Sequence, residues 1–188
     1  MKILFGALLL LIYLPAFGEI LTGQVVSVAD GDTFTLKVDS EQYRIRLSEI
    51  DTPEKTQPWG SQAKQALSSK ISQRTVTVSF EAIDQYGRIV GKVWLGNIDI
   101  NRAMVSEGHA WVYRQYMNDT SLLNDETMAK QEGLGLWSMD DPIDPWEWRR
   151  RPQGEENSEI IPELTVTTDH LLPLQAEMIL VTNPKSHK

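Results

Sequence analysis

LTGQVVSVADGDTFTLKVDSEQYRIRL, residues 21–47, is the stretch on which the fold turns. Val26 and Val28 fall on one face of its first third, and Val25 and Ser27 on the other. Ala29-Asp30-Gly31-Asp32 then supplies the Asp-Gly chemistry of a tight turn. Phe34, Leu36 and Val38 alternate with Thr33, Thr35 and Lys37. After a second turn at Asp39-Ser40-Glu41, Tyr43, Ile45 and Leu47 alternate with Arg44, Arg46 and Ser48. Successive strand side chains leave opposite faces, so a period of two marks strands that bury one face. The stretch predicts three consecutive antiparallel strands.

Working outward, Ser61–Ile71 carries Ala63, Ala66, Leu67 and Ile71 near helical spacing. Val76, Val78 and Phe80 mark a fourth strand, and Ile89–Leu95 a fifth, with Gly96-Asn97 turning into Ile98-Asp99-Ile100. Asn101–Glu107 runs into Gly108 and Thr120 or Ser121 to Glu132 into Gly133, both helix-stop patterns. Five short strands with one helix between the third and fourth predict an α+β protein: a five-stranded β-barrel of the OB type, with about three helices packed outside.

The ends read differently. Met1-Lys2, an apolar run to Phe17, and small residues at Ala16 and Gly18 form a secretory signal pattern over residues 1–18, with cleavage before Glu19. The run is short for a membrane span, which needs about 20 apolar residues. It predicts a secreted or periplasmic protein, with an uncleaved N-terminal anchor as the alternative reading. From Pro152 to Lys188, Pro, Glu, Ser and Thr dominate without strong periodicity, which predicts a disordered acidic tail. The folded domain is then 19–151.

Composition narrows the chemistry. There are no cysteines among the 188 residues, which excludes a disulfide framework, a Cys-zinc site and a thiol nucleophile. Of three histidines, two lie in the tail, so a multi-histidine metal site is excluded from the domain. A metal must be held mainly by oxygen, which points to calcium or magnesium. The net charge is −8, and Glu19–Arg151 alone holds 15 Lys and Arg against 20 Asp and Glu. Indiscriminate binding to polyanions does not follow from such a field.

Certain polar residues break the strand logic. Asp32 ends a tight turn, Arg46 stands on the face opposite the apolar stripe, Asp51-Thr52-Pro53-Glu54 follows, and Asp84-Gln85-Tyr86-Gly87-Arg88 joins two strands. Taken singly these are a turn, a solvated arginine, a helix start with Thr as cap, and a hairpin. In a small barrel they can converge at one rim. Two carboxylates, Asp32 and Asp51, suit a hard divalent cation. Two guanidiniums match phosphate oxygens, and Glu54 is left as a free carboxylate that can activate water. That inventory suits phosphodiester hydrolysis.

Asp30-Gly31-Asp32-Thr33, Arg46 through Glu54, and Asp84 through Arg88 together resemble the two signatures of the staphylococcal nuclease (thermonuclease) family. Gly133–Trp137 and Pro145-Trp146-Glu147-Trp148-Arg149-Arg150 resemble the end of many secreted bacterial members. The resemblance covers about Leu21 to Arg151. It implies an OB-fold, calcium-dependent nuclease that cuts DNA and RNA and leaves 3′-phosphorylated products. By position it implies Asp32, Asp51 and the Thr52 carbonyl as metal ligands, with Asp30 nearby through water. It implies Arg46 and Arg88 as phosphate clamps and Glu54 as general base, with Tyr86, Tyr113 and Tyr116 near the nucleotide. A monomer is expected. Phe34, Gln85 and the short Lys55–Gly60 loop with Pro58-Trp59 depart from the family pattern, and bear on substrate affinity. A non-catalytic binding module of the same fold is the competing reading; it would be expected to lose some of Arg46, Glu54 and Arg88. Trp137, Trp146 and Trp148 are expected to pin the C-terminal segment onto the barrel.

Overall fold

A computed structural model describes residues 19–151. The signal pattern of residues 1–18 and the tail of residues 152–188 lie outside the described residues. Five long strands form the barrel: β1 (Glu19–Val28), β2 (Thr33–Val38), β3 (Glu41–Leu47), β5 (Thr75–Ile83) and β6 (Ile89–Leu95). Their order is β3-β2-β1-β5-β6, all antiparallel, and a parallel pairing of β3 with β6 closes the ring. Closure sets Ile45, Arg46 and Leu47 opposite Ile89, Val90 and Gly91. Closing a sheet this small requires bends. Register shifts between Val25 and Ser27 and between Phe80 and Ala82 supply them, since a bulge adds local twist.

The inward faces are the alternating residues of the opening stretch. Val25, Phe34, Leu36, Ile45 and Leu47 are fully buried, with Val78 and Val93 from the far side. Helix α1 (Gly60–Ile71) covers one end with Ala63, Leu67 and Ile71. Helices α2 (Ile100–Ser106) and α3 (Leu122–Gln131) pack on each other. Gly108, at φ 73°, ends the turn after α2, a backbone that favours glycine.

Several elements differ from the sequence expectation. Two-residue strands β4 (Ile50–Asp51) and β8 (Trp111–Val112) pair with each other, and β7 (Ile98–Asp99) folds back to pair antiparallel with the end of β6. Asp51-Thr52-Pro53-Glu54 does not begin a helix. The Gln57 side chain accepts from the Glu54 amide at 3.0 Å while the Gln57 amide donates to the Glu54 carbonyl, and the resulting turns delay α1 to Gly60. A fourth helix, α4 (Pro145–Trp148), is one turn long, capped by Asp144 with Pro145 at its start. Among the described residues no helix is long and apolar enough to cross a membrane.

Candidate active site

The loops between β1 and β2, β3 and α1, and β5 and β6 open on one cavity of about 960 Å³. Asp30, Asp32, Arg46, Asp51, Thr52, Glu54, Tyr86, Arg88, Tyr113 and Tyr116 all line it, so the structure gathers every predicted site residue in one place.

Asp32 gets there through Gly31. A Cβ on Gly31 would lie 2.7 Å from the Thr52 hydroxyl and 2.8 Å from the Ala63 Cβ, so only glycine lets this bend press onto Thr52. Asp32 is 6% exposed; it accepts from the Thr33 hydroxyl at 2.8 Å and from the Thr52 amide at 3.4 Å. Asp51 is 1% exposed, brought in by the β4–β8 ladder. Arg46 bridges the two carboxylates, with Nη2 2.9 Å from Asp51 Oδ1 and 3.4 Å from Asp32 Oδ2. Its Nη1 donates to the Leu47 and Ile50 carbonyls. Arg46 is thus a buried anchor and not a solvated face residue.

Charge in this corner is out of balance. Burial pushes the Asp51 carboxyl up, and its arginine partners do not fully offset that. Asp30, whose Oδ1 accepts from the Asp32 amide, is pushed up to about 6 by burial and by the Asp32 charge. Burial works against the Arg46 charge, yet Asp32 and Asp51 raise its affinity for the proton overall. Three carboxylates with a deficit of positive charge are an environment that a divalent cation relieves. Among the described residues no three His, Cys, Asp or Glu side chains meet as a metal cluster. The carboxylates of Asp32 and Asp51, both bridged by Arg46, are hard oxygen donors; they would suit a hard cation that keeps water ligands and would not suit zinc.

Across the cavity, Arg88 is fixed by Asp84, with Nε 2.7 Å from Oδ2, and its Nη1 reaches the Thr33 hydroxyl at 3.5 Å. Its guanidinium lies 5.4 Å from the centre of the exposed Tyr86 ring. Tyr113 meets Tyr116 edge-on at 4.9 Å and stacks parallel on Trp146 at 5.6 Å. Trp111 packs edge-on against Trp137 and Trp146, so these two of the three expected tryptophans hold the C-terminal segment to the domain. Trp148 instead has the Arg151 guanidinium 5.8 Å from its ring centre.

Glu54 is not the free carboxylate that the sequence suggested. Arg149 Nη1 stands 2.6 Å from its Oε1, and Arg149 Nη2 stands 2.7 Å from Asp51 Oδ2. Sequence reasoning gave no site role to Arg149, 95 residues from Glu54. The available signal was Asp144-Pro145-Trp146-Glu147, a cap and helix start just before it. Glu49 was also missed. This buried residue, at φ 65°, accepts from the Asn118 and Asp119 amides at 2.6 and 2.9 Å and pairs with Lys92 at 3.0 Å. It ties the Tyr113–Asp119 segment to the wall of the cavity.

Residues 44–139 match the family described as "Staphylococcal nuclease homologue". The chain is similar to "Protein ParB" of Escherichia coli, 40% identical over 155 residues, covering 76% of this chain and 86% of that one. An "Uncharacterized endonuclease" of Escherichia coli is 43% identical over 130 residues, covering 69% and 85%. The "Micrococcal nuclease" of Shigella flexneri is 36% identical over 163 residues, covering 81% and 93%.

Proposed function

The chain belongs to the staphylococcal nuclease family, and on that premise we propose that it is an exported, monomeric, calcium-dependent endonuclease. It hydrolyses phosphodiester bonds of DNA, RNA or both to 3′-phosphorylated products. The observation that carries this reading is the Asp32–Arg46–Asp51 cluster standing in one cavity with Arg88 and Glu54.

Asp32, Asp51 and the Thr52 carbonyl would hold the cation, with Asp30 acting through water. When bound, calcium supplies positive charge at a phosphate oxygen. Everything else falls to the chain's own groups. Arg46 from β3 and Arg88 from the β5–β6 loop grip the phosphoryl oxygens, whose charge grows in the transition state. Glu54 takes a proton from the attacking water. The water oxygen bonds to phosphorus while the bond to the 5′ oxygen breaks, and that leaving oxygen takes a proton from solvent water, giving a 3′-phosphate and a 5′-hydroxyl. Tyr86, Tyr113 and Tyr116 offer ring faces to the flanking nucleotide.

Plasmid nicking with calcium and with a chelator tests the reading. Calcium-dependent nicking is expected, with losses of roughly 100-fold or more for Arg88→Lys and Glu54→Gln. Lysine lacks the planar fork, and glutamine cannot take the proton. Binding without cleavage would favour the non-catalytic module. Near-unchanged turnover in both variants would refute the mechanism.

A further inference from the structure

The mechanism above has no use for Arg149, yet Arg149 touches two of its central groups. It reaches Asp51 Oδ2 at 2.7 Å and Asp51 Oδ1 at 3.4 Å, and Glu54 Oε1 at 2.6 Å. With Arg46 on Asp51 Oδ1, both oxygens of that carboxylate are taken by guanidiniums. A calcium ion bonds carboxylate oxygens at about 2.3–2.6 Å. It cannot occupy the same edge of Asp51 as Arg149, and the two positive groups would repel there.

One of the two arginines is built to stay. Arg46 rises from the middle of the barrel wall, its side chain is 14% exposed, and two backbone carbonyls hold its Nη1. Arg149 is 41% exposed, and its guanidinium contacts among the described residues are to Asp51 and Glu54 only. The segment that carries it is anchored elsewhere. Gln57 Nε2 donates to the Ile143 carbonyl at 2.6 Å, Asp144 caps α4, and Trp146 stacks on Tyr113. The guanidinium can therefore leave the carboxylates while its helix stays docked.

We propose that Arg149 is an internal counter-cation: it holds Asp51 and Glu54 in place in the metal-free protein and is displaced when a divalent cation binds. This rests on the calcium reading above. Displacement does two things at once. It clears the edge of Asp51 for the cation, and it frees Glu54 Oε1, which Arg149 Nη1 otherwise occupies at 2.6 Å. Arming of the base is thus tied to loading of the metal.

Calcium titration by calorimetry on the mature full-length chain tests this, with Arg149→Gln, Arg149→Lys and, as a control for net charge, Arg150→Gln. Couplings of this type are commonly about 5- to 150-fold. Arg149→Gln should tighten calcium by roughly tenfold or more, Arg149→Lys by less, and Arg150→Gln hardly at all. In the wild type, side-chain ¹⁵N NMR should show the Arg149 guanidinium rotating freely once calcium saturates, while Arg46 stays restricted. That arm stands even if a variant folds poorly. A calcium Kd for Arg149→Gln equal to or weaker than that of Arg150→Gln overturns the proposal and leaves the calcium reading intact, as does an Arg149 signal unchanged at saturation. Absence of calcium binding in every protein overturns both.

Discussion

The carboxylate of Asp84 aims the guanidinium of Arg88. Oδ1 accepts from the Tyr86 and Arg88 amides, both at 2.9 Å, which closes the hairpin, and Oδ2 takes Arg88 Nε at 2.7 Å. Of its terminal nitrogens, Nη1 reaches the Thr33 hydroxyl at 3.5 Å, and the residue lines the cavity. Burial works to raise the Asp84 carboxyl, but the Arg88 amide and guanidinium outweigh it, so it stays ionised below the usual carboxylate range. One side chain thus shapes the turn and orients the clamp.

Asp84→Asn keeps an acceptor for the turn and loses the charged contact to Nε. A guanidinium free to swing is misplaced for much of the time, and a misplacement of about 1 Å can cost on the order of 100-fold. We expect kcat on denatured DNA to fall roughly 10- to 100-fold with little change in Tm, since the hairpin is largely exposed. A kcat within twofold of wild type would show that Asp84 does not position the clamp.

The barrel was legible because its strands bury one face each. Phe34, Leu36, Ile45 and Leu47 are spaced by two and are fully buried, and the period records that directly. The convergence of Asp32, Arg46, Asp51 and Arg88 was legible only as a joint pattern, because each alone is an ordinary turn or surface residue. Burial of Arg46 was not legible. What covers it includes Asp51 from a two-residue strand, and ladders that short leave no periodicity. Arg149 was invisible for a related reason: its partners lie 95 and 98 residues away, and nothing local records a contact at that separation. Asp144 and Pro145 announce a helix start but not where the helix docks. Glu49 looks like a turn residue, and only the fold reveals that its carboxylate closes a loop brought back from residues 118–119.

Glu49 should matter for stability and for its pH dependence. Burial works to raise its pKa, but the Asn118 and Asp119 amides and Lys92 outweigh burial and hold it below its ordinary value of 4.5. A carboxyl depressed in the folded state stabilises above its unfolded pKa, and that stabilisation is lost as pH falls through the folded value. Glu49→Gln keeps an oxygen for the amides and loses the charge on Lys92. We expect a loss of about 1–2 kcal/mol at pH 7. That corresponds to a Tm drop of roughly 3–8 °C, shrinking as pH falls well below 4.5. A Tm difference that stays constant from pH 7 to pH 3 would contradict the ionised state assigned to Glu49.

Calcium should also stabilise the fold. A ligand present at 100 times its Kd adds about 2.7 kcal/mol when it binds the folded state alone. With Asp32 and Asp51 both nearly sealed from water, a cation is a better partner for their charge than the solvent they have lost. Tm should rise by several degrees with calcium and fall back with chelator. Asp51→Asn should abolish that response. A full calcium response in Asp51→Asn would remove Asp51 from the metal site.

Salt dependence follows from the lining of the cavity. Arg46, Arg88, Lys92 and Arg149 face it, but so do Asp30, Asp32, Glu49, Asp51, Glu54 and Asp84. Most of that positive charge is already spent: Lys92 on Glu49, Arg46 on Asp32 and Asp51, and Arg149 on Asp51 and Glu54. The chain as a whole carries −8, so its overall field adds little attraction for a strand. Counterion release from a single strand scales as about 0.7 for each phosphate neutralised. With two or three phosphates gripped, the log–log slope for single-stranded DNA should be about −1.4 to −2.1, far shallower than for a basic DNA-binding protein. Filter binding to a single-stranded oligonucleotide from 50 to 300 mM salt, using Glu54→Gln to prevent cleavage, reads the slope. A slope that requires six or more released ions would mean that phosphates are held by a surface well beyond this cavity.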